Sequence, residues 1–267
     1  MNNLHRSLAP ISDEAWLQIE QEATRTLKRY LAARHVVDVE GPEGLSLSAK
    51  GTGHIQPIKV ADGVEAAVRE VKPAVEFRVP FELSRLAIDD VLRGAEDSDW
   101  QPLKDAAKKI AFAEDQAIFE GLKSAGIVGL KGCSSNQKLS LPASVKNYAD
   151  TVANAVNELK LAGVNGPYRL VLGADAYVAA SGGSDEGYPV LHHIQGLVEG
   201  DIIWAPAIQG GYLLTSRGGD FRLSLGQDIS IGYLSHTEST VKLYLEESFV
   251  FECFTSEAVV YLQSPKN

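Results

Sequence analysis

Residues 211–233, GYLLTSRGGDFRLSLGQDISIGY, decide the fold. Two groups of turn residues, Gly218-Gly219 and Gly226-Gln227-Asp228, divide this stretch into three apolar runs. Successive strand side chains point to opposite faces. Tyr212 and Leu214 therefore share a face, as do Phe221, Leu223 and Leu225. In the third run Ile229, Ile231 and Tyr233 share a face, with Asp228, Ser230 and Gly232 opposite. The pattern predicts a compact antiparallel meander with one apolar face. It holds no constellation of residues for catalysis.

On the C-terminal side, residues 241–262 alternate apolar and polar and predict a long closing hairpin. On the N-terminal side, Gly163, Gly166-Pro167, Gly200 and Pro206 punctuate an alternation of helix and strand. It reads as helix over 148–162, strand over 168–172, helices over 174–181 and 189–198, and strand over 201–205. Before it, DSDWQPL offers Ser98 or Asp99 as N-cap, Gln101 at capping-box distance from Ser98, and Pro102 in the first turn. A helix to about residue 124 follows, closed by Gly126, about 35 Å long at about 1.5 Å per residue. Its inward stripe is Leu103, Ala106, Ala107, Ile110, Ala113, Ala117, Ile118 and Leu122.

Val75, Phe77, Val79 and Phe81 alternate strictly and predict a core strand. Residues 41–74 lack a core face, and 34 structureless residues would be long for a compact monomer. A two-stranded arm that pairs with a neighbouring chain fits them better than an unstructured excursion. The N-terminal helix opens at Ser12 and carries Trp16, Ile19, Ala23, Leu27, Tyr30 and Leu31 at helical spacing to about residue 34. A short strand at Val36–Val39 comes next, and Gly41-Pro42 ends it.

Composition excludes several classes. The net charge of −10, without a basic stripe, argues against wrapping nucleic acid. No apolar run reaches the length of a membrane span, and MNNLHRSLAP lacks a secretory apolar core. Two distant cysteines, Cys133 and Cys253, not in CxxC spacing, suit a reducing compartment, so no disulfide framework or cysteine-based zinc site is expected. The chemistry-bearing residues form no catalytic set. GTGHIQ lacks the third glycine of a dinucleotide loop, and GGSDEG around Ser184 fails the nucleophile-elbow pattern. His192-His193 lack metal-ligand spacing and read as one half-buried and one exposed histidine. Glu114-Asp115 and Asp89-Asp90 read as solvated-face or interface salt-bridge groups.

Six segments carry a resemblance that spans essentially the whole chain in order. They are LHRSLAPISDEAWLQIEQEA, RHVVDVEGPEG, RVPFELSRLAIDD with RG just beyond, EDQAIFEG, GPYRLVL and SRGGDFRLSLGQDISIGY. Together they resemble the family 1 encapsulins, also called linocin-like proteins, of actinobacterial type. The resemblance implies an α+β tailed-phage major capsid (HK97-like) fold. Its parts here would be an N-terminal helix and arm (1–40), an extended loop (41–74) and a peripheral domain with a spine helix (75–130). An axial domain (131–220) and the returning peripheral domain (221–267) would complete it.

The function implied is that of a non-enzymatic shell subunit in the bacterial cytoplasm. Roughly sixty copies would form a hollow icosahedral homo-oligomer. Cargo, a dye-decolorising peroxidase or a ferritin-like iron-storage protein, would be held by its C-terminal targeting peptide. The cargo-peptide groove would have Leu27, Leu31, Arg34 and Asp38 on one side and Ile229, Ile231 and Tyr233 on the other. A pore would be lined by Ser184, Asp185, Glu186 and Gly187, its acidic ring favouring cations. No cofactor or metal is expected: some members stack a flavin on a tryptophan where this chain has Leu86, so a flavin here is doubtful. No nucleic acid and no membrane are expected as partners. The alternatives are a phage major capsid protein, opposed by the acidic balance, and a secreted bacteriocin-like antibacterial protein, opposed by the missing signal and nucleophile.

Overall fold

The structure is a computed structural model that describes residues 3–185 and 187–265. Helix α1 (Asp13–Tyr30) starts where the sequence places it: the Ser12 hydroxyl accepts the Ala15 N–H at 3.2 Å, and Asp13 and Glu14 lie in the first turn. It buries Ala15, Trp16, Ile19 and Ala23. It ends at Tyr30, four residues earlier than expected. The Asp115 carboxylate accepts the N–H groups of Ala32 and Ala33 at 3.1 and 2.9 Å and stands in for the helix's next turn. Strand β1 (Asp38–Glu40) follows.

Strands β2 (Ala49–Lys59) and β3 (Glu65–Pro73) form a separate antiparallel pair with no buried residue and most positions exposed, in keeping with the arm reading. Strand β4 (Val75–Ser84) then enters the core and gives way to helix α2 (Arg85–Leu92), capped by Ser84. The spine helix α3 spans Gln101–Phe119, with the Asp99 carboxylate accepting the Gln101 N–H at 3.0 Å. At about 1.5 Å per residue it is roughly 28 Å long, shorter than expected. Gly121, at φ 92°, turns the chain back before Gly126 is reached.

Helix α4 (Gly129–Cys133), strand β5 (Leu139–Ser140), helix α5 (Tyr148–Leu161) and strand β6 (Tyr168–Leu172) come next. Helix α6 (Ala174–Gly182) leads to a tiny hairpin of β7 (Ser184–Asp185) and β8 (Tyr188–Pro189), then helix α7 (Val190–Val198) and strand β9 (Glu199–Trp204). Helices α5, α6 and α7 and strands β6 and β9 fall within a residue or two of their expected bounds; α4, β5 and the β7–β8 hairpin are additions to the expected set. Strands β10 (Gly211–Thr215), β11 (Phe221–His236), β12 (Thr240–Cys253) and β13 (Val259–Gln263) close the chain.

The strand pairing overturns the meander. β10 lies in a five-stranded sheet ordered β5-β13-β10-β6-β9, whereas β11 lies in a four-stranded sheet ordered β1-β11-β12-β4. The second and third apolar runs are one continuous strand. Gly226-Gln227-Asp228 makes a bulge, with register shifts at Leu225/Gln227 and Gln227/Ser230, instead of a reversal. The Ser248 hydroxyl accepts the Gln227 N–H at 2.9 Å, and the carbonyls of Leu225 and Gly226 accept the N–H groups of Glu43 and Gly44. Satisfied on both sides, the bulge has no need to turn. The expected 241–262 hairpin fails in the same way: β12 pairs with β11 and β4, while β13 crosses to the other sheet beside β10.

The bulge also moves β11 between two hydrophobic cores. Phe221, Leu223 and Leu225 belong to the core shared with α5, α7 and the five-stranded sheet. Ile231 belongs to the core under α1, α2 and α3, and Ile229 and Tyr233 pack against its rim.

Candidate functional site: the α1–β11 groove and its charged floor

Leu27, Ile229 and Tyr233 are half-buried apolar groups at the rim of the α1–α3 core, on the two elements expected to face each other. Ile231 lies deeper, 5% exposed, as a core residue. Leu31 is also buried, at the end of α1. Leu27 of α1 and Ile229 and Tyr233 of β11 thus border the same hydrophobic core. The backbone edge of β11 is partly taken, since Leu4 O accepts the Tyr233 N–H at 2.8 Å. Asn3 reaches the same strand, donating from Nδ2 to Gln227 Oε1 at 3.1 Å.

Arg34 and Asp38 are placed differently. Asp38 pairs in register with Arg222 and its Oδ2 accepts the Gly219 N–H at 2.6 Å, so it closes the 216–220 turn. Arg222 lies seven positions before Ile229, about 23 Å along a strand at about 3.3 Å per residue. Arg34 is engaged inside the molecule. Its Nε donates to both Glu114 oxygens at 2.9 and 3.0 Å, and Nη2 donates to Glu114 Oε2 at 2.6 Å. Nη1 donates to Asp228 Oδ1 at 2.8 Å, and Nη2 reaches Glu247 Oε2 at 3.3 Å.

This buried hub corrects the reading of Glu114-Asp115 as solvated-face or interface groups: both are fully buried. One guanidinium faces the carboxylates of Glu114, Glu247 and Asp228, with Asp115 alongside. Burial pushes Asp115 up to about 8, against the pull of its two backbone N–H donors. Burial, then the Glu114 carboxylate, holds Glu247 well above the usual range, and Glu247 Oε1 has no hydrogen-bond partner. Burial pulls Arg34 down, yet Glu114 and Asp228 outweigh it and raise the guanidinium above its ordinary value. The signal for the hub was present: Glu114-Asp115 sits among Ala111, Ala117 and Ile118 on the inward stripe, and Glu246-Glu247 interrupts the apolar run of β12.

The expected pore segment is the β7–β8 hairpin. Ser184 is exposed and Asp185 half-buried; they oppose Pro189 and Tyr188, and Gly187 turns the loop at φ 86°. Glu186 lies outside the described residues. Tyr188 stacks on His193 with ring centroids 4.5 Å apart. His192 and His193 are both exposed, so the expected half-buried histidine is not found. Leu86, at the start of α2, is also exposed. The cysteines correct another expectation, because Cys133 and Cys253 are joined as a disulfide. Among the described residues no group of three or more His, Cys, Asp or Glu is placed to hold a metal, and no helix is long and apolar enough to cross a membrane.

The N-terminal helix, projecting arm, spine helix and two sheets define the class: a mixed α+β protein with the tailed-phage capsid (HK97-like) fold. The chain is similar to a virus-like particle from Pyrococcus furiosus, at TM-score 0.68 and 15% identity over 93% of this chain and 99% of that one. It is similar also to the structure of Mycobacterium phage Bobi, at TM-score 0.57 and 15% identity over 89% and 91%. A type 1 encapsulin shell protein of Rhodococcus erythropolis is 58% identical over 98% of this chain and 100% of its own length. That of Mycobacterium tuberculosis is 53% identical over 98% and 99%. Residues 1–250 match the family described as "Encapsulating protein for peroxidase", and the chain belongs to this encapsulin shell-protein family.

Proposed function

We propose that this chain is the structural subunit of an encapsulin nanocompartment, assembling with itself into a hollow icosahedral particle that encloses a peroxidase. Membership of a peroxidase-encapsulating family, over 250 residues of a capsid-fold chain, carries the reading. The arm supports it: Ile55 and Ile58 of β2, Val68 and Val71 of β3 and Val64 in the turn between them are all exposed, a surface suited to burial by a second copy. A shell of about sixty equivalent subunits is the smallest closed icosahedral form. Electron microscopy of the purified full chain tests the reading. Uniform hollow particles are expected; monomers or small oligomers overturn it.

Cargo is captured through a short C-terminal apolar peptide. Leu27, Ile229 and Tyr233 offer the surface it needs, with Leu31 and Ile231 as backing. Co-expression of a peroxidase with and without its C-terminal tail tests this: the intact enzyme sediments with the particles and the truncated one stays behind. A ferritin-like cargo would enter by the same route. The hairpin carrying Ser184, Asp185 and Gly187 lines a pore where ringed carboxylates favour cations; Asp185→Ala particles that admit cations and anions unchanged would sink this. Leu86 gives a flavin no ring to stack on, so the shell binds none at that position; particles purified with a flavin spectrum would contradict this. The working compartment is the bacterial cytoplasm, and fractionation of cells producing the chain tests it.

A further inference from the structure

Cys133 ends α4 and Cys253 ends β12, 120 residues apart in sequence, and their Cα atoms lie 6.7 Å apart across the disulfide. That spacing is within the range a disulfide spans. The bond sits where the chain leaves the four-stranded sheet and heads for β13 in the five-stranded one. Residues after Cys133 are laced to the same connection. The Ser135 N–H donates to Ser256 O at 3.0 Å and the Ser134 hydroxyl to Val259 O at 2.7 Å. Asn136 Nδ2 donates to Glu257 O and Val259 O at 2.8 and 2.9 Å.

We propose that Cys133 and Cys253 are a reversible dithiol–disulfide brace that hydroperoxide closes and small thiols open, clamping the junction between the two sheets. Both cysteines are half-buried, so a small oxidant reaches them. The hydrogen bonds around residues 134–136 keep the two thiols together when the bond is open. In the closing step one thiolate attacks hydrogen peroxide, the O–O bond breaks, and a sulfenic acid forms with release of hydroxide, which takes the proton that this thiol gave up and leaves as the first water. The second thiol attacks the sulfenic sulfur, the S–S bond forms, and the expelled hydroxide takes the remaining proton as a second water. Two thiols are oxidised and one peroxide is reduced. Peroxide as the physiological oxidant rests on the proposed peroxidase-enclosing function; the brace itself does not.

The test uses the full chain purified in reductant, treated with hydrogen peroxide at neutral pH, and alkylated without unfolding. Intact-mass spectrometry should find two alkylated thiols before treatment and none after. The oxidised mass should be lower by two hydrogens, and dithiothreitol should restore both thiols. The melting temperature should be higher in the oxidised form by on the order of 5–15 °C. That difference should vanish in the Cys133→Ser/Cys253→Ser variant. The wild-type comparison stands even where the variant fails to fold. Thiols that stay alkylatable after peroxide, oxidise separately to sulfinic acids or resist dithiothreitol, or a melting temperature that ignores redox state, each overturn the brace. Microscopy of the same samples reports hollow particles independently, so failure of the shell reading is seen separately from failure of the brace.

Discussion

Arg34 holds Glu114 through three hydrogen bonds, two from Nε at 2.9 and 3.0 Å and one from Nη2 at 2.6 Å, and Glu114 is fully buried. The pair ties the exit of α1 to the middle of the spine helix, and Asp228 and Glu247 bring in β11 and β12. Four elements thus meet on one guanidinium. Removing it leaves carboxylates buried without a counter-charge, which costs far more than an exposed ion pair is worth. Arg34→Ala should destabilise the chain by about 3–5 kcal/mol, read from urea unfolding. Arg34→Lys should recover only part, because an ammonium cannot make the bidentate contact. An Arg34→Ala protein as stable as the wild type would remove the hub from any account of the fold.

The hub also sets a pH dependence. Asp115 has an ordinary value of 3.8 and is pushed up to about 8 by burial; Glu247 moves the same way, first by burial and then by Glu114. Between the unfolded and folded values the native state holds protons that the unfolded chain has released. This contribution is complete below about 4 and is lost as pH climbs through about 8. Glu114, Asp228 and Arg34 face these groups, and the single cation cannot compensate once Asp115 and Glu247 ionise. Asp115→Asn, which keeps a carbonyl acceptor for the Ala32–Ala33 amides, should therefore gain on the wild type as pH rises from 5 to 8.5. Parallel stability curves for the two proteins would show that Asp115 does not titrate in that window.

Much of the architecture was legible because local signals and tertiary structure agree. Ser12 caps α1, Gly163 and Gly200 bracket the alternating region, and the absence of a core face in 41–74 does mark an exposed two-stranded arm. Strand partnership was not legible. Gly218-Gly219 separates β10 from β11 into different sheets, yet a glycine pair looks the same whether the next strand turns back or departs. At Gly226-Gln227-Asp228 a turn-like triplet serves a bulge, since its polar groups are satisfied by Ser248 and residues 43–44 from outside the local sequence. The candidate site was legible only in part. Leu27, Ile229 and Tyr233 border one core, but the partners that claim Arg34 and Asp38 lie 80 and 181 positions away. Cys133 and Cys253 escaped notice because a reducing compartment was assumed from their number and spacing.

Gly121 ends the spine helix where sequence spacing would carry it on to Gly126. Its φ of 92° is open to glycine, and a Cβ there would lie 2.5 Å from the Val128 carbonyl oxygen. The nearest atoms it would meet, on Ile127 and Val128, are all backbone, so no side-chain rotation relieves the clash. Gly121→Ala should cost about 1–3 kcal/mol from the backbone conformation alone. The collision adds to this, and the loss is read as a lower melting temperature and less soluble protein. Gly126→Ala also stands at positive φ but meets nothing within 4 Å, and should cost less. Equal losses at the two positions would place the helix end wrongly.

The proposed peptide groove makes a prediction that separates binding from folding. Ile231 is a core residue, so Ile231→Ala should destabilise by about 2–5 kcal/mol and lower cargo capture only by harming the shell. Leu27 and Tyr233 are half-buried at the rim, with part of each side chain left for a ligand. Truncating such an apolar anchor at a peptide interface costs about 1–3 kcal/mol of binding, roughly a 5- to 150-fold loss. Leu27→Ala and Tyr233→Ala should therefore still form hollow particles while retaining far less co-expressed peroxidase. The measure is peroxidase-to-shell ratio in purified particles, with microscopy of each variant as the control. The Tyr233 N–H is already bonded to Leu4 O, so a peptide adding to the β11 edge there must displace residues 3–4 or lie beside them. Deleting residues 1–4 should then raise capture in the first case and leave it unchanged in the second. Capture that survives both rim substitutions intact would move the cargo site away from α1 and β11 altogether.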